Sequence, residues 1–268
     1  MGGKLGDFTH SLFGVRQYCL QNNTKANIYM IDIGWEYGIN NTHSELLPIL
    51  ESQDYVNSLQ ILTDYYLHPI QNPNQSTPIQ VFNQKILDEG YVDLGAYIRS
   101  PLLYRACWSE IFSDLCKFTI DTQNYKSINF EKKDPKFSGK IIIHRRTTSR
   151  NRLNQDFPWK VIVESYKGNV VFISTSEKDY NEFPYKDGVE FYKIGDLVDW
   201  YTTINSGDFL ISNLSAPESI GKALDVPRLI ELPYTIDVEH IIGEEKYTSN
   251  VYWYLNEERN NCQNILKY

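Results

Sequence analysis

Apolar residues in this chain follow two alternating patterns: short unbroken runs, and longer stretches with apolar positions three and four apart. Near the start, Leu12, Phe13, Val15 and Leu20 recur at helical spacing to about Asn22. They predict a helix opened by a glycine-rich turn (Gly2, Gly3, Gly6), with Asp7 at or near the N-cap. Residues 27–33 (NIYMIDI) read as a buried strand. Residues 42–53 read as a helix with Thr42 as N-cap and Glu45 completing a capping box. Strands are expected at 55–62 and 93–98, a loop at 71–78 and a helix at 107–118. In the second half, 140–144 (KIIIH), 170–174 (VVFIS), 190–192, 209–212 and 228–231 read as strands. Residues 159–166, 177–183, 196–204 and 216–224 read as helices, two of them stopped by Gly168 and Gly207. Short loops joining alternating strands and helices imply an α/β protein with mostly parallel sheets covered on both faces.

Between the halves, residues 121–139 are polar and charged and read as a linker, giving two expected domains, 1–125 and 126–268. A length of 268 residues suits this division, and 41% hydrophobic with 22% charged residues fits a globular core. The net charge of −8 argues against general nucleic-acid binding, which depends on neutralising phosphates. The four cysteines (Cys19, Cys107, Cys116, Cys262) lack CxxC spacing, so reduced thiols are expected. His43, His68 and His240 have no metal-ligand spacing, and P-loop, G-x-S-x-G and H-E-x-x-H motifs are absent from the sequence. With no apolar run of membrane-spanning length and no signal-peptide core, a cytoplasmic protein is expected.

In open parallel sheets ligands bind beyond the carboxyl ends of the strands, which selects three polar segments. His144-Arg145-Arg146-Thr147-Thr148-Ser149-Arg150-Asn151-Arg152 offers guanidinium forks and hydroxyls suited to phosphate oxygens, or else forms a solvated basic loop. Ser212-Asn213-Leu214-Ser215-Ala216-Pro217-Glu218-Ser219 leads into a helix whose first N–H groups could meet an anion, or be capped by Ser215. Glu177, after the 170–174 strand, could accept from a ribose diol or simply favour a helix start. Asp7 is either a cap or a base beside an anion site. Trp200 and Tyr201 read as packing residues.

Taken in order, Gly6-Asp7-Phe8-Thr9-His10, the 144–152 run, FISTSE and FLISNLSAPESIGKAL resemble the lipopolysaccharide heptosyltransferases, GT-B glycosyltransferases that use ADP-heptose. The chain begins almost at the glycine-rich turn, where that family has a preceding strand. It carries Ser212-Asn213-Leu214 where the family usually has an acidic residue and a glycine. The resemblance implies a GT-B-like fold of two Rossmann-like domains facing a cleft, and sugar transfer from a nucleotide sugar to an acceptor hydroxyl of a glycan, lipid or protein. It implies Asp7 as general base, with Gly6 and His10 on the acceptor side. Arg145, Arg146, Thr147, Thr148, Arg150, Arg152, Asn213, Ser215 and Ala216 would hold the donor phosphates, with His144 and Glu177 at the nucleoside. No DxD-type motif is present, so metal independence and no cofactor beyond the donor are expected. The alternative is a non-catalytic nucleotide-sugar-binding protein or a subunit of a glycosylation complex. An epimerase would need acid and base groups on both sides of the sugar, and one candidate is evident.

Overall fold

The first half opens with helix α1 (Leu5–Asn22), which Asn23 ends in a left-handed conformation (φ 48°). It continues through β1 (Ala26–Met30), α2 (Ile39–Leu50), β2 (Val56–Ile61), β3 (Tyr66–Pro69), β4 (Ile79–Phe82) and α3 (Trp108–Cys116). The second half comprises β5 (Ile141–His144), α4 (Trp159–Ser165), β6 (Val170–Ser174), α5 (Glu177–Glu182), β7 (Glu190–Lys193), α6 (Leu197–Ser206), β8 (Phe209–Asn213), α7 (Ala216–Leu224), β9 (Arg228–Glu231), β10 (Val251–Asn256) and β11 (Arg259–Asn260). This computed structural model describes residues 4–32, 35–63, 66–69, 79–82, 88, 90–146, 153–233, 239–256 and 259–260.

Strands β1 and β2 pair in parallel, and β3 and β4 form an antiparallel pair. The large sheet has the order β11-β10-β9-β8-β5-β6-β7, parallel except for β11. Its six parallel strands follow the arrangement of nucleotide-binding sheets, in which the strand order reverses beside the first strand. Here that reversal lies between β5 and β8. Alternate side chains serve opposite faces. Ile142, Val171, Leu210 and Ile230 join one cluster with α6, α7 and the first half, while Ile143, Phe172, Ile211 and Leu229 meet Trp159, Ile162 and Phe183 on the other.

Helix α1 is buried almost all round because it lies between α3 and α7. Two of its buried polar residues find backbone partners: the Arg16 guanidinium donates to the Asn124 carbonyl at 2.7 Å, and the Gln17 amide to the same oxygen at 2.8 Å. The polar 121–139 segment is packed rather than free-running. Tyr125 and Ile128 are buried, and the Ser127 and Ile128 amides both donate to the Ala223 carbonyl of α7.

Several elements depart from the sequence-based expectation. Helix α1 starts at Leu5 with Lys4 as N-cap, so Gly6 and Asp7 lie within its first turn. The N-cap of helix α2 lies four residues before the expected Thr42, at Gly38, whose φ of 78° only glycine adopts readily. Thr42 is then inside the helix, donating to the Gly38 carbonyl, and Glu45 is released to bind elsewhere. The strand expected at 93–98 is a 3-10 helix, Leu94–Arg99, because Asp93 captures the Gly95 amide at 3.0 Å and turns the chain. Strand β10 had no counterpart in the sequence reading. The loop expected at 71–78 lies outside the described residues.

Candidate functional site

The strand order places the carboxyl ends of β5 and β8 side by side, with His144 opposite Ser212. Just beyond, the Arg146 amide donates to Asn213 Oδ1 at 3.2 Å and Asn213 Nδ2 donates to the Arg146 carbonyl at 3.1 Å. This reciprocal pair fastens the start of the basic run to the end of β8. The Arg146 guanidinium, half exposed, reaches Glu36 of the first half at 3.4 Å.

Helix α7 begins three residues after Asn213, with Ser215 as N-cap. The Ser215 hydroxyl donates back to the Asn213 carbonyl at 3.0 Å and makes no capping bond to the helix. The first turn of α1 meets the first turn of α7. A Cβ placed on Gly6 would lie 3.6 Å from Ser219 Oγ, 3.8 Å from Ala216 Cα and 3.9 Å from Ala216 N. Two helix N-termini therefore converge, and their dipoles favour negative charge between them. Asp7 stands in the α1 turn at this junction, half-buried, and Tyr97 donates its hydroxyl to the Asp7 carboxylate. Burial, followed by the charge of Asp7, pushes the Tyr97 hydroxyl well up, so it stays protonated and remains a donor.

The residues singled out in the sequence divide by placement. Asp7, Gly6, Arg146, Asn213, Ser215 and Ala216 gather around the β5/β8 reversal. Arg145 is turned inward: its guanidinium donates to Glu231 through Nε and Nη2, both at 2.9 Å, and it is buried. His144 is also buried, donating from Nδ1 to the Ile173 carbonyl at 2.8 Å, with Trp200 edge-on to its ring. Burial, opposed by that bond, lowers its pKa. His10 is buried and points its Nε2 at Glu218, 3.1 Å away, which takes it from the acceptor side into the helix junction. Glu177 is the exposed first residue of α5, at the end of β6. Thr147, Thr148, Arg150 and Arg152 lie outside the described residues. Trp200 and Tyr201 are buried.

Sequence reasoning passed over Tyr97 and Glu231, and it gave Glu218, within the 212–219 segment, no role. Tyr97 sits in the segment misread as a strand. Glu218 and Glu231 look like an ordinary first-turn acid and a strand-end acid, and their partners are remote in sequence. Glu231 also accepts from the Asn154 amide at 2.7 Å and from Trp159 Nε1 at 3.1 Å, so one buried carboxylate gathers groups on both sides of the basic run. Among the described residues, no group of His, Cys, Asp and Glu could hold a metal ion, and no helix is long and apolar enough to cross a membrane.

No protein-family model matches the sequence, and no curated protein matches it by sequence. Solved structures do match in fold. E. coli heptosyltransferase WaaC with ADP aligns at a TM-score of 0.54 and 12% identity, covering 94% of this chain and 92% of that one. The same enzyme with ADP-2-deoxy-2-fluoro heptose aligns at 0.51 and 10% identity, covering 95% and 93%. The dodecameric iron-containing heptosyltransferase TibC, in complex with ADP-D-beta-D-heptose, aligns at 0.51 and 11% identity, covering 98% of this chain and 63% of its own. The chain is thus an α/β protein with the GT-B-like fold of these glycosyltransferases.

Proposed function

We propose that this protein is a glycosyltransferase that moves a sugar from a nucleotide-sugar donor to an acceptor hydroxyl, with Asp7 as general base. One observation carries the reading: the first turn of α1, which bears Asp7, packs through Gly6 against the first turn of α7, at the β5/β8 reversal of a nucleotide-binding sheet order. The fold shared with heptosyltransferases adds to it, without fixing the sugar.

In this reaction Asp7 takes the proton of the acceptor hydroxyl while the hydroxyl oxygen attacks the anomeric carbon. The bond from that carbon to the diphosphate oxygen breaks, and its electron pair leaves with the nucleoside diphosphate. The developing charge is met by the convergent helix N-termini and by Arg146, with Thr147, Thr148, Arg150 and Arg152 contributing from the same run. Tyr97 orients the Asp7 carboxylate. Side-chain cations and amides would do the neutralising, so turnover is expected to need no divalent metal.

Release of nucleoside diphosphate from a panel of nucleotide sugars tests the reading. Turnover that Asp7→Asn removes while nucleotide still binds supports it. Tight nucleotide binding with no turnover, unchanged by Asp7→Asn, favours the non-catalytic binding protein instead. Activity lost in EDTA and restored by magnesium or manganese would overturn metal independence.

A further inference from the structure

We propose that the buried His10–Glu218 pair is a positioning device for the base: it fixes the first turn of α1 against the first turn of α7 and so sets where Asp7 stands relative to the leaving group. This rests on the sugar-transfer reading above. His10 follows Asp7 by three residues, so the two share one side of α1. Glu218 is the third residue of α7, and its amide bonds the Ser215 carbonyl at 3.1 Å. The 3.1 Å bond from His10 Nε2 to Glu218 Oε2 therefore ties the turn bearing Asp7 to the turn that would face the diphosphate.

The surroundings hold this bond to one geometry. The His10 ring stacks on Trp108 at 4.7 Å with an interplanar angle of 15°, which fixes the plane in which Nε2 points. Nδ1 of His10 is buried with no hydrogen-bond partner among the described residues. Burial lowers the His10 pKa, so the ring is neutral with its proton on Nε2. Burial works against the Glu218 charge, but the hydrogen bond from His10, the Arg228 guanidinium with Nε 3.8 Å from Oε1, and Lys222 one turn along α7 hold its pKa below the usual value.

A pair of apolar side chains would hold two helices together at least as well, since burying polar groups has its own cost. What the His–Glu bond adds is register. A shift of α1 by one residue is a 1.5 Å slide that breaks it, and it would displace Asp7 by the same amount. Displacements of that size lower reaction rates by about a hundredfold. The Gly6 contact has the opposite character, because it tolerates closer approach and sets no register.

The experiment measures nucleoside diphosphate released from ADP-glucose, UDP-glucose and GDP-mannose with water as acceptor, and calorimetric binding of ADP, UDP and GDP, for wild type, Asp7→Asn, His10→Ala, His10→Gln and Glu218→Asp. With the wild type active and Asp7→Asn inactive, His10→Ala should lower kcat about a hundredfold while donor KM and diphosphate affinity stay within about threefold. His10→Gln, which restores an N–H donor, should recover most of the lost kcat. Glu218→Asp keeps the charge but withdraws it by one methylene; it should lower kcat with KM unchanged, which serves if His10→Ala fails to fold. A kcat for His10→Ala or Glu218→Asp within twofold of wild type overturns the positioning role and leaves the base intact. A parallel loss of kcat and diphosphate affinity, tracking lowered thermal midpoints, also overturns it. A wild type that releases nothing, or an Asp7→Asn variant as active as wild type, overturns the sugar-transfer reading itself.

Discussion

At the scale of single residues, Gly6 and Glu231 behave in opposite ways. The space around Gly6 admits a methyl at ordinary van der Waals distance, and α1 is helical there, so alanine is compatible with the fold. Gly6→Ala is expected to raise stability by up to about 1 kcal/mol in urea denaturation, because glycine is the poorer helix former. The same methyl stands over the end of α7, so diphosphate affinity measured by calorimetry should fall; unchanged affinity would place the anion elsewhere. Glu231 has no such slack. It is fully buried and holds Arg145, so Glu231→Gln leaves a buried guanidinium without its counter-charge. A loss of about 3–5 kcal/mol is expected, and a loss under about 1 kcal/mol would mean the pair contributes little. The buried histidines set the response to acid. Both His10 and His144 have folded-state pKa values pushed below the ordinary 6.5, so below that pH the unfolded chain binds more protons than the folded one. Stability from these groups is complete above about pH 6.5 and is lost as pH falls through the folded values. Thermal midpoints should drop between pH 7 and 5, and His10→Gln should shallow that slope.

At the scale of elements, the second half was legible because its strands are unbroken apolar runs. KIIIH, VVFIS and the 209–212 and 228–231 runs could be placed from composition alone; the structure keeps the bounds of 170–174 and 228–231 and moves one end of each of the other two by a single residue. Strand β10 (VYWYLN) is as apolar, but its tyrosines and the charged stretch before it hid it. The first half was harder because its helix starts depend on remote partners. Thr42 and Glu45 form a persuasive capping motif, yet Gly38 starts the helix and the Glu45 carboxylate accepts the Leu197 amide at the start of α6, at 3.1 Å. Glu244 does the converse, accepting the Ser109 amide at the start of α3 at 3.0 Å and the Lys222 ammonium at 2.6 Å, with Tyr125 also donating to it. At the candidate site, the strand-end rule located Asn213, Ser215 and Arg146, but not that Arg145 would be taken by a carboxylate far along the chain. Glu45→Ala should cost about 1 kcal/mol, the usual value of a lost cap; a neutral effect in urea titration would show that the bond is not formed in solution.

At the scale of the whole molecule, one apolar cluster runs from α1, α2 and α3 through α6 and α7 to the large sheet. The 121–139 segment is sewn to α7 rather than hung between the halves. Heating is therefore expected to give a single calorimetric transition with equal calorimetric and van't Hoff enthalpies, whereas two resolved peaks would show halves that melt separately. The exchanged carboxylates carry this further. Because Glu45 completes a helix of the second half and Glu244 completes one of the first, a gene divided near residue 130 would encode two polypeptides that each lack a terminus supplied by the other. Such products would stay unstructured in isolation and acquire order only on mixing.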